Sequence, residues 1–421
     1  MQNLGYGTAG KFMGARYFGR IRADRLLTYL FVIFAIYFSG SVYLTSYYYK
    51  ESILIWLVVT MGLIIYRTIR IKADLLGCAI FSIVFVFVTM VVRKDYVNAY
   101  FSTFTFMTLT VVWVGIIDSK IYEEIYQNII VVLAALSFIM FAVEIVLPNF
   151  YLLFPYTEGF SSVHYYNAGI YVYNYSKTEF IVEHRNNSIF WEPGVAQVFF
   201  NLGIFIELKK MYANEHYSML KIILLMIAVL TTGSFTGYFL LLLLFTAWLW
   251  RQNRALVFFE ILVIPIFIAI LIILTRGTTF GNRIHYYLSS LDEIYIRMGF
   301  DLVIDMLNEG KLFQTIGMGI TNFEGTGYLA VGSLPYYPVV FGLAFSSVWL
   351  YIYYRYIRAL PHGVKFLAAI MFICIGMTES LLQRPVFLLF GLCAIKGGTS
   401  KNEEGNNNQL GCGCVQYRKD N

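Results

Sequence analysis

The stretch HRNNSIFWEPG, residues 184–194, places an arginine and a glutamate where a polar segment passes into an apolar run. Pro193 suits the first turn of a helix, and it favours an extended conformation for the residue before it, Glu192. A helix that begins there points its free N–H groups and the positive end of its dipole towards the polar side, which attracts an anion such as phosphate. Arg185 can add a bidentate contact to the same anion. The stretch therefore predicts an anion site with a carboxylate beside it.

Both ionisable residues also have simpler explanations. Glu192 would complement the helix dipole without taking part in any chemistry, and Arg185 would anchor the chain to lipid headgroups. Ionisable groups at the mouth of a membrane span are costly unless they are paired or used, and this cost favours a functional role.

The composition is that of an integral membrane protein. Hydrophobic residues make up 59% of the 421 and charged residues 13%, too few to cover a water-soluble surface. Apolar runs near or above the length that crosses a hydrocarbon core recur along the chain. The predicted spans are roughly 26–44, 52–66, 75–92, 97–117, 129–147, 194–208, 219–232, 235–250, 256–275, 335–353, 365–381 and 385–396. We therefore predict an all-α polytopic membrane protein with about twelve transmembrane helices.

Basic residues in the loops orient these spans. Short basic loops stay on the cytoplasmic side, and the N-terminal stretch is rich in lysine and arginine, so both termini are predicted to be cytoplasmic in a bacterial inner membrane. Residues 1–396 then form a single membrane domain, and the polar tail 397–421 is predicted to be disordered. The loop asymmetry accounts for the net charge of +6, so a nucleic-acid partner is not predicted.

Two long segments, about 148–193 and 276–334, face outward in this topology. The first is crowded with tyrosine and phenylalanine and contains His164. Such aromatic residues form an interfacial belt in many membrane proteins, and they also form platforms on which sugar rings pack. Both interpretations stay open.

The second outward segment has a helical pattern with a capping box at Ser290 and Glu293. Arg297 on this helix is four residues from Glu293 and from Asp301, so surface salt bridges are an alternative to a role in binding. Downstream, the stretch GMGITNF, which includes Asn322, predicts a flexible turn whose backbone can approach a ligand.

Four pieces of the chain, taken in order, carry a resemblance to a known family. RNNSIFWEPGVAQVFF, TTGSFTGYFLLLLL, the segment from Arg297 to GMGITNF, and MTESLLQRPVFLLFGL together resemble bacterial polysaccharide polymerases of the Wzy type, within the O-antigen ligase and polymerase superfamily. The resemblance covers roughly residues 180–396. One departure concerns the second piece, where the family usually has Ser-Arg and Phe235 follows Ser234 here.

The resemblance implies a glycosyltransferase that uses no nucleotide sugar. Such an enzyme moves a growing glycan from undecaprenyl diphosphate to a hydroxyl of the next lipid-linked repeat unit at the outer face of the inner membrane. The sequence has no metal-ligand cluster of useful spacing, so neither a metal nor another cofactor is predicted. Fixed arginines would stabilise the diphosphate leaving group, and Glu192 is the first candidate to accept the hydroxyl proton. The remaining candidates are His285 as an alternative base, and Arg276, Arg283, Arg297, His164, Asn322 and Glu379 as substrate-binding residues, with His164 also a reserve base.

Glu379 belongs in this set because the alternation of spans brings it near the outer end of the eleventh span. A glutamate at that depth is expected to contact an outer-loop arginine or to line the cavity, and packing against a neighbouring span is the alternative. The predicted partners are lipid-linked oligosaccharide, membrane lipid and a chain-length regulator.

Two other functions remain possible at this point. A ligase would move finished glycan to an acceptor such as lipid A core. A lipid-linked oligosaccharide flippase or other transporter would perform no chemistry, but such proteins commonly have related halves and charges deep within their spans. The sequence has no evident internal repeat, and its polar residues concentrate on one face.

Overall fold

The structure, a computed structural model, describes residues 25–42, 49–66, 73–117, 119–147, 149–158, 163–176, 185–253, 304–305, 307–310, 315–324 and 332–397. The predicted span 256–275, the predicted surface helix at 290–310 for the greater part, and the tail after 397 lie outside the described residues. The statements below concern the described residues alone.

The described part of the chain is mostly helical. Its helices are α1 (Arg25–Gly40), α2 (Tyr49–Tyr66), α3 (Ala73–Arg93), α4 (Val97–Ile116), α5 (Ser119–Val146), α6 (Pro193–Tyr212), α7 (Met219–Thr231), α8 (Phe235–Gln252), α9 (Ile320–Glu324), α10 (Ser333–Val340), α11 (Leu343–Ala359), α12 (Lys365–Thr378) and α13 (Pro385–Gly397). Short 3-10 turns lie at Phe150–Leu153 and His362–Val364.

Every predicted apolar span that falls on described residues is helical, but two predictions of extent are wrong. The span predicted from residue 129 begins ten residues earlier, at Ser119. The span 335–353 is not one helix, because α10 ends at Val340 and α11 starts at Leu343. Gly342 between them has φ +90°, and a Cβ on this residue would lie 2.2 Å from the carbonyl oxygen of Thr315, so a side chain would not fit.

Two helical windows are both long and apolar enough to cross a membrane. They are Leu76–Arg93, with mean hydropathy 2.3, and Lys120–Val146, with mean hydropathy 2.8. Other apolar helices in the described part are shorter, at 10–17 residues, and include α1, α7 and α12. The prediction of about twelve crossings therefore stays a prediction.

Helix α6 lies at the centre of the described bundle. It packs against α5, α7 and α8, and its residues are buried along nearly its whole length, polar Gln197 and Asn201 among them. The hydroxyl of Tyr126 on α5 donates to the carbonyl of Phe199. The residues at the first turn of α6 are therefore held in place by the core of the protein.

The all-α prediction missed a small sheet in the first long segment. Strands β1 (Tyr156–Glu158), β2 (Val163–Asn167) and β3 (Val172–Ser176) form an antiparallel sheet in the order β1-β2-β3, with Tyr166 opposite Tyr156 on one side and Tyr173 on the other. The strands are rich in tyrosine and valine, which favour this conformation. Alternation over so few residues was too short a signal to outweigh the helical pattern around it.

Hydrogen bonds attach the region of the sheet to the helices and to the segment before α6. The Tyr171 hydroxyl donates to Glu144 of α5 at 3.0 Å, and the Tyr37 hydroxyl of α1 donates to the carbonyl of Gly169 at 3.1 Å. The amide of Val172 donates to the carbonyl of Ser188 at 2.7 Å. The sheet is thereby joined directly to the segment that leads into α6.

Candidate functional site

Helix α6 begins where the sequence predicted. Pro193 occupies its first turn and Glu192 is the N-cap, with φ −153° and ψ 157°, an extended conformation. The Glu192 carbonyl accepts the amides of Val195 and Ala196, but its side chain makes no capping hydrogen bond. The Glu192 side chain is exposed. The carboxylate therefore does not cap the helix by a hydrogen bond, and its interaction with the helix dipole stays open as the simpler explanation of its presence.

The segment before α6 is firmly anchored. Asn186 is fully buried and its side-chain amide donates to the hydroxyls of Ser137 on α5 and Thr231 on α7. The amide of Ser188 donates to the side-chain oxygen of Asn186, and Ser188 has φ +51°, an uncommon value for a residue other than glycine. The polar stretch at the start of the site is thus part of the protein interior.

Arg185 lies against the turn between α7 and α8. Its Nε donates to the carbonyl of Thr232 at 2.9 Å and its Nη2 donates to the carbonyl of Gly233 at 3.1 Å. Both acceptors are backbone carbonyls of the turn between α7 and α8. The hydroxyl-rich turn that the sequence singled out therefore positions Arg185, and a role for Arg185 in diphosphate binding stays a prediction.

The structure brings Glu379 next to Glu192. Glu379 follows the last residue of α12, and its carboxyl group lies close to that of Glu192 beside Gly194. An ideal Cβ on Gly194 would lie 2.7 Å from Oε1 of Glu379 and 3.9 Å from Cδ of Glu192, so the absent side chain leaves room for the approach. Burial raises the pKa of Glu379 well above its ordinary value, and the neighbouring Glu192 raises it further. We call Arg185, Glu192, Gly194 and Glu379 the α6 entrance.

Sequence analysis expected Glu379 to meet an arginine or to line a cavity. Among the described residues its carboxyl group lies beside that of Glu192, so a contact with an outer-loop arginine and a role in lining a cavity stay predictions. The backbone of Glu379 is fixed in this position by Ser333 at the start of α10. The amide and the hydroxyl of Ser333 both donate to the carbonyl of Glu379, at 3.1 and 2.9 Å. Ser333 was not identified from the sequence, and its type alone carried no signal.

Two further residues beside the entrance were also missed. The guanidinium carbon of Arg384 lies 5.6 Å from the ring centroid of Trp191, in cation–π geometry. Tyr165 on β2 is buried, and burial together with the charge of Glu192 raises its pKa to about 12. A signal for Arg384 did exist, because Arg384-Pro385 repeats the pattern of Glu192-Pro193, an ionisable residue before the proline that starts a helix.

The turn at 317–319, here called the GMG turn, is not the flexible element that the sequence predicted. The amides of Met318 and Gly319 donate to the carbonyls of Val339 and Val340 at 2.8 and 3.0 Å. A Cβ on Gly317 would lie 2.3 Å from the Val340 carbonyl, so this glycine permits close packing of protein backbone. The flexible-turn prediction is therefore wrong.

The other side of the GMG turn is held by the α3–α4 connection. Nε of Arg93 donates to the carbonyl of Gly317 at 2.7 Å. The Tyr100 hydroxyl donates to Asp95 at 2.6 Å and accepts the amide of Ile320 at 3.1 Å. The turn is thus a joint between protein segments.

The remaining candidate residues are not brought into the entrance by the described contacts. Asn322, on α9, is exposed and its side-chain amide donates to the carbonyl of Met318 at 2.8 Å. His164 lies on β2, opposite Glu158 and Tyr175 in register. Arg276, Arg283, His285 and Arg297 lie outside the described residues.

The described residues contain no group of three or more histidine, cysteine, aspartate or glutamate side chains arranged to hold a metal ion. A cavity of about 230 Å³ between α6, α7 and α8 is lined by apolar side chains such as Leu208, Ile222 and Trp248. Leu208 is 15 residues beyond Pro193 on α6, about 22 Å at the helical rise. This cavity is therefore separate from the α6 entrance.

Comparisons of the chain with protein-family models, curated proteins and solved structures found no match.

Proposed function

We propose that this protein is a polysaccharide polymerase of the bacterial inner membrane, which transfers a growing glycan from undecaprenyl diphosphate to a hydroxyl of a lipid-linked repeat unit at the outer face. The observation that carries the proposal is the α6 entrance: an exposed carboxylate at the first turn of a buried helix, with an arginine seven residues upstream that is hydrogen-bonded to the turn between α7 and α8. The four stretches that resemble the polymerase family support the same conclusion.

The exposed apolar surface supports a membrane location. In each of the two long apolar windows 28% of the residues are buried, whereas the core helix of a water-soluble protein is mostly buried. On α2 the exposed fractions are 64% for Leu54, 65% for Val58 and 78% for Ile65. Large contiguous apolar patches are rare on soluble monomers and are expected where lipid covers the surface.

The reaction needs a group that stabilises the leaving diphosphate and a group that accepts the proton of the hydroxyl, and the α6 entrance offers a candidate for each. In the transfer, the bond between the anomeric carbon and the diphosphate oxygen breaks, and the electron pair leaves with the diphosphate. The guanidinium of Arg185 and the first-turn amides of α6 would stabilise this developing negative charge. The acceptor hydroxyl forms the new bond to the anomeric carbon and loses its proton, for which the exposed Glu192 carboxylate is the acceptor.

The glycan profile of cells that carry variants tests the proposal. Arg185→Ala and Glu192→Gln should each remove long polymer while the protein stays inserted at normal levels, because loss of such a contact costs roughly 100-fold or more in rate. Arg185→Lys should restore activity only in part, because a point charge does not reproduce the planar fork. Glu215→Gln, in an exposed pair 3.9 Å from Lys120, is the matched control and should leave the profile unchanged.

The same profile separates the alternatives. A defective polymerase leaves single repeat units attached to their final acceptor, a defective ligase leaves long polymer on its lipid carrier, and a defective flippase leaves single units facing the cytoplasm. Normal long-chain ladders in both Arg185→Ala and Glu192→Gln, at normal protein levels, would refute the proposal.

A further inference from the structure

The side chains of Glu192 and Glu379 meet although they come from different helix ends. An ideal Cβ on Gly194 would lie 2.7 Å from Oε1 of Glu379 and 3.9 Å from Cδ of Glu192, so both carboxyl groups lie beside the first turn of α6. A carboxylate has no proton to donate, so a hydrogen bond between two carboxyl groups requires that one of them is protonated. Two carboxylates at such separation repel strongly, and one proton between them removes that repulsion.

The contact is fixed by the main chain on both sides. The Glu379 amide donates to the carbonyl of Ile375 at 2.9 Å and its carbonyl accepts two hydrogen bonds from Ser333. The Ser333 hydroxyl in turn accepts the amide of Leu382 at 3.0 Å, which closes the turn after α12. Since Glu192 is the N-cap of the buried helix α6, neither residue relies on a free loop for its position.

The two carboxyl groups differ in exposure. Glu192 is exposed, whereas Glu379 is partly buried behind it. Of two coupled acids, the less solvated one keeps the proton, because burial disfavours the charged form. The described ionisable side chains around the pair are Tyr165 from β2 and Arg384 from the turn after α12, the latter against the Trp191 ring. Arg185 lies on the segment that leads into the pair.

We propose that Glu192 and Glu379 share one proton at neutral pH, with Glu379 as its holder and as the residue that positions Glu192 for proton transfer. This proposal rests on the proposed function for its chemical step. The protonated Glu379 carboxyl donates a hydrogen bond to one oxygen of the Glu192 carboxylate. The other oxygen of Glu192 then faces the acceptor hydroxyl and takes its proton as the glycosidic bond forms and the diphosphate leaves.

Glycine at position 194 fits this arrangement. A methyl group there would meet Oε1 of Glu379 at 2.7 Å and would displace that carboxyl group. The EPG order of the sequence thus combines a carboxylate, a proline that starts the helix, and a glycine that admits the second carboxyl group.

Infrared spectroscopy of the purified protein in lipid tests the shared proton without any assay of activity. The C=O stretch of a protonated carboxylic acid should be present in the wild type at pH 7 and absent from Glu379→Gln. In Glu192→Gln the band should disappear at a lower pH than in the wild type, because the charge that keeps the proton on Glu379 is gone. An unchanged midpoint in Glu192→Gln, or no band in the wild type, would overturn the proposal.

The pH profile of polymerisation tests the positioning role. Glu379→Gln should retain most of the activity, because an amide N–H replaces the donating O–H, and it should lack the alkaline loss that follows deprotonation of Glu379. Glu379→Leu should lower the rate on the order of 100-fold, because no donor remains. Equal profiles for Glu379→Gln and the wild type would count against the role. If the wild type itself forms no polymer, the proposed function fails, while the infrared midpoints still decide whether the proton is shared.

Discussion

The α6 entrance and the GMG turn were both identified from glycine and charged residues in outward segments, yet they differ in what their polar groups do. In the GMG turn the amides, the neighbouring arginine and the tyrosine hydroxyl are matched to protein partners from two directions. In the α6 entrance Glu192 is exposed, makes no capping bond, and meets a second acid. A polar segment whose groups pair with one another serves the fold, whereas one that brings like-charged groups together points to chemistry.

The largest effect that would test this comparison is expected from Gly317→Ala. The added methyl group would lie 2.3 Å from the backbone of Val340, which cannot move without displacing the α10–α11 break. Overpacking costs about 1–3 kcal/mol and occasionally more, and the clash here is with backbone, so we expect a marked loss of folded protein in detergent-stability measurements. Gly62→Ala, where nothing lies within 4 Å of the added methyl group, is the control and should be stable. Normal stability of Gly317→Ala would show that the turn is not a structural joint.

A smaller change in stability but a clear change in activity is expected from Gly194→Ala. Here the nearest atom is the end of a flexible side chain, Oε1 of Glu379, which can rotate away. The change in unfolding free energy should stay within about 1 kcal/mol, the range of helix propensity differences. Polymer length should fall nonetheless, because the carboxyl pair is separated. Gly77→Ala, with open space around the added methyl group, is the matched control. Full polymer length in Gly194→Ala would remove the carboxyl contact from the account.

The smallest effect concerns the dependence of stability on pH. The pKa of Glu379 is raised in the folded protein, so the folded state binds more protons than the unfolded state above the ordinary glutamate pKa of 4.5. Stability should therefore be fully present below that value and fall as pH rises through the pKa of the folded protein. Glu379→Gln should lack this loss, so its stability relative to wild type should increase from pH 5 to pH 8. A constant difference between the two proteins, as expected for the exposed control Glu215→Gln, would contradict the raised pKa.

The helices and the local geometry of the α6 start were predictable because they follow from nearby residues. Apolar runs of sufficient length marked nearly all of the described helices, and Pro193 specified both the helix start and the extended Glu192. The break at Gly342 was not predictable from its neighbours, because it depends on close packing against the Thr315 carbonyl, which is distant in sequence.

The same limit applies to the site. Glu192 and Glu379 each stood out as an ionisable group at a span mouth, but their contact depends on how α6, α10 and α12 pack. The prediction of a flexible, ligand-approaching turn at the GMG turn rested too heavily on its glycines. Glycine allows close approach of a ligand and of protein backbone alike, and periodicity does not distinguish the two.

The most direct test of the central claim is polymerisation by purified protein in liposomes that contain a polyprenyl-diphosphate-linked oligosaccharide. The wild type and Glu215→Gln should both produce chains of several repeat units and release polyprenyl diphosphate in equal amounts. Glu192→Gln should bind the lipid-linked substrate yet form new linkages roughly 100-fold or more slowly. Polymerisation by Glu192→Gln at the wild-type rate would contradict the assignment of the α6 entrance as the place where the transfer occurs.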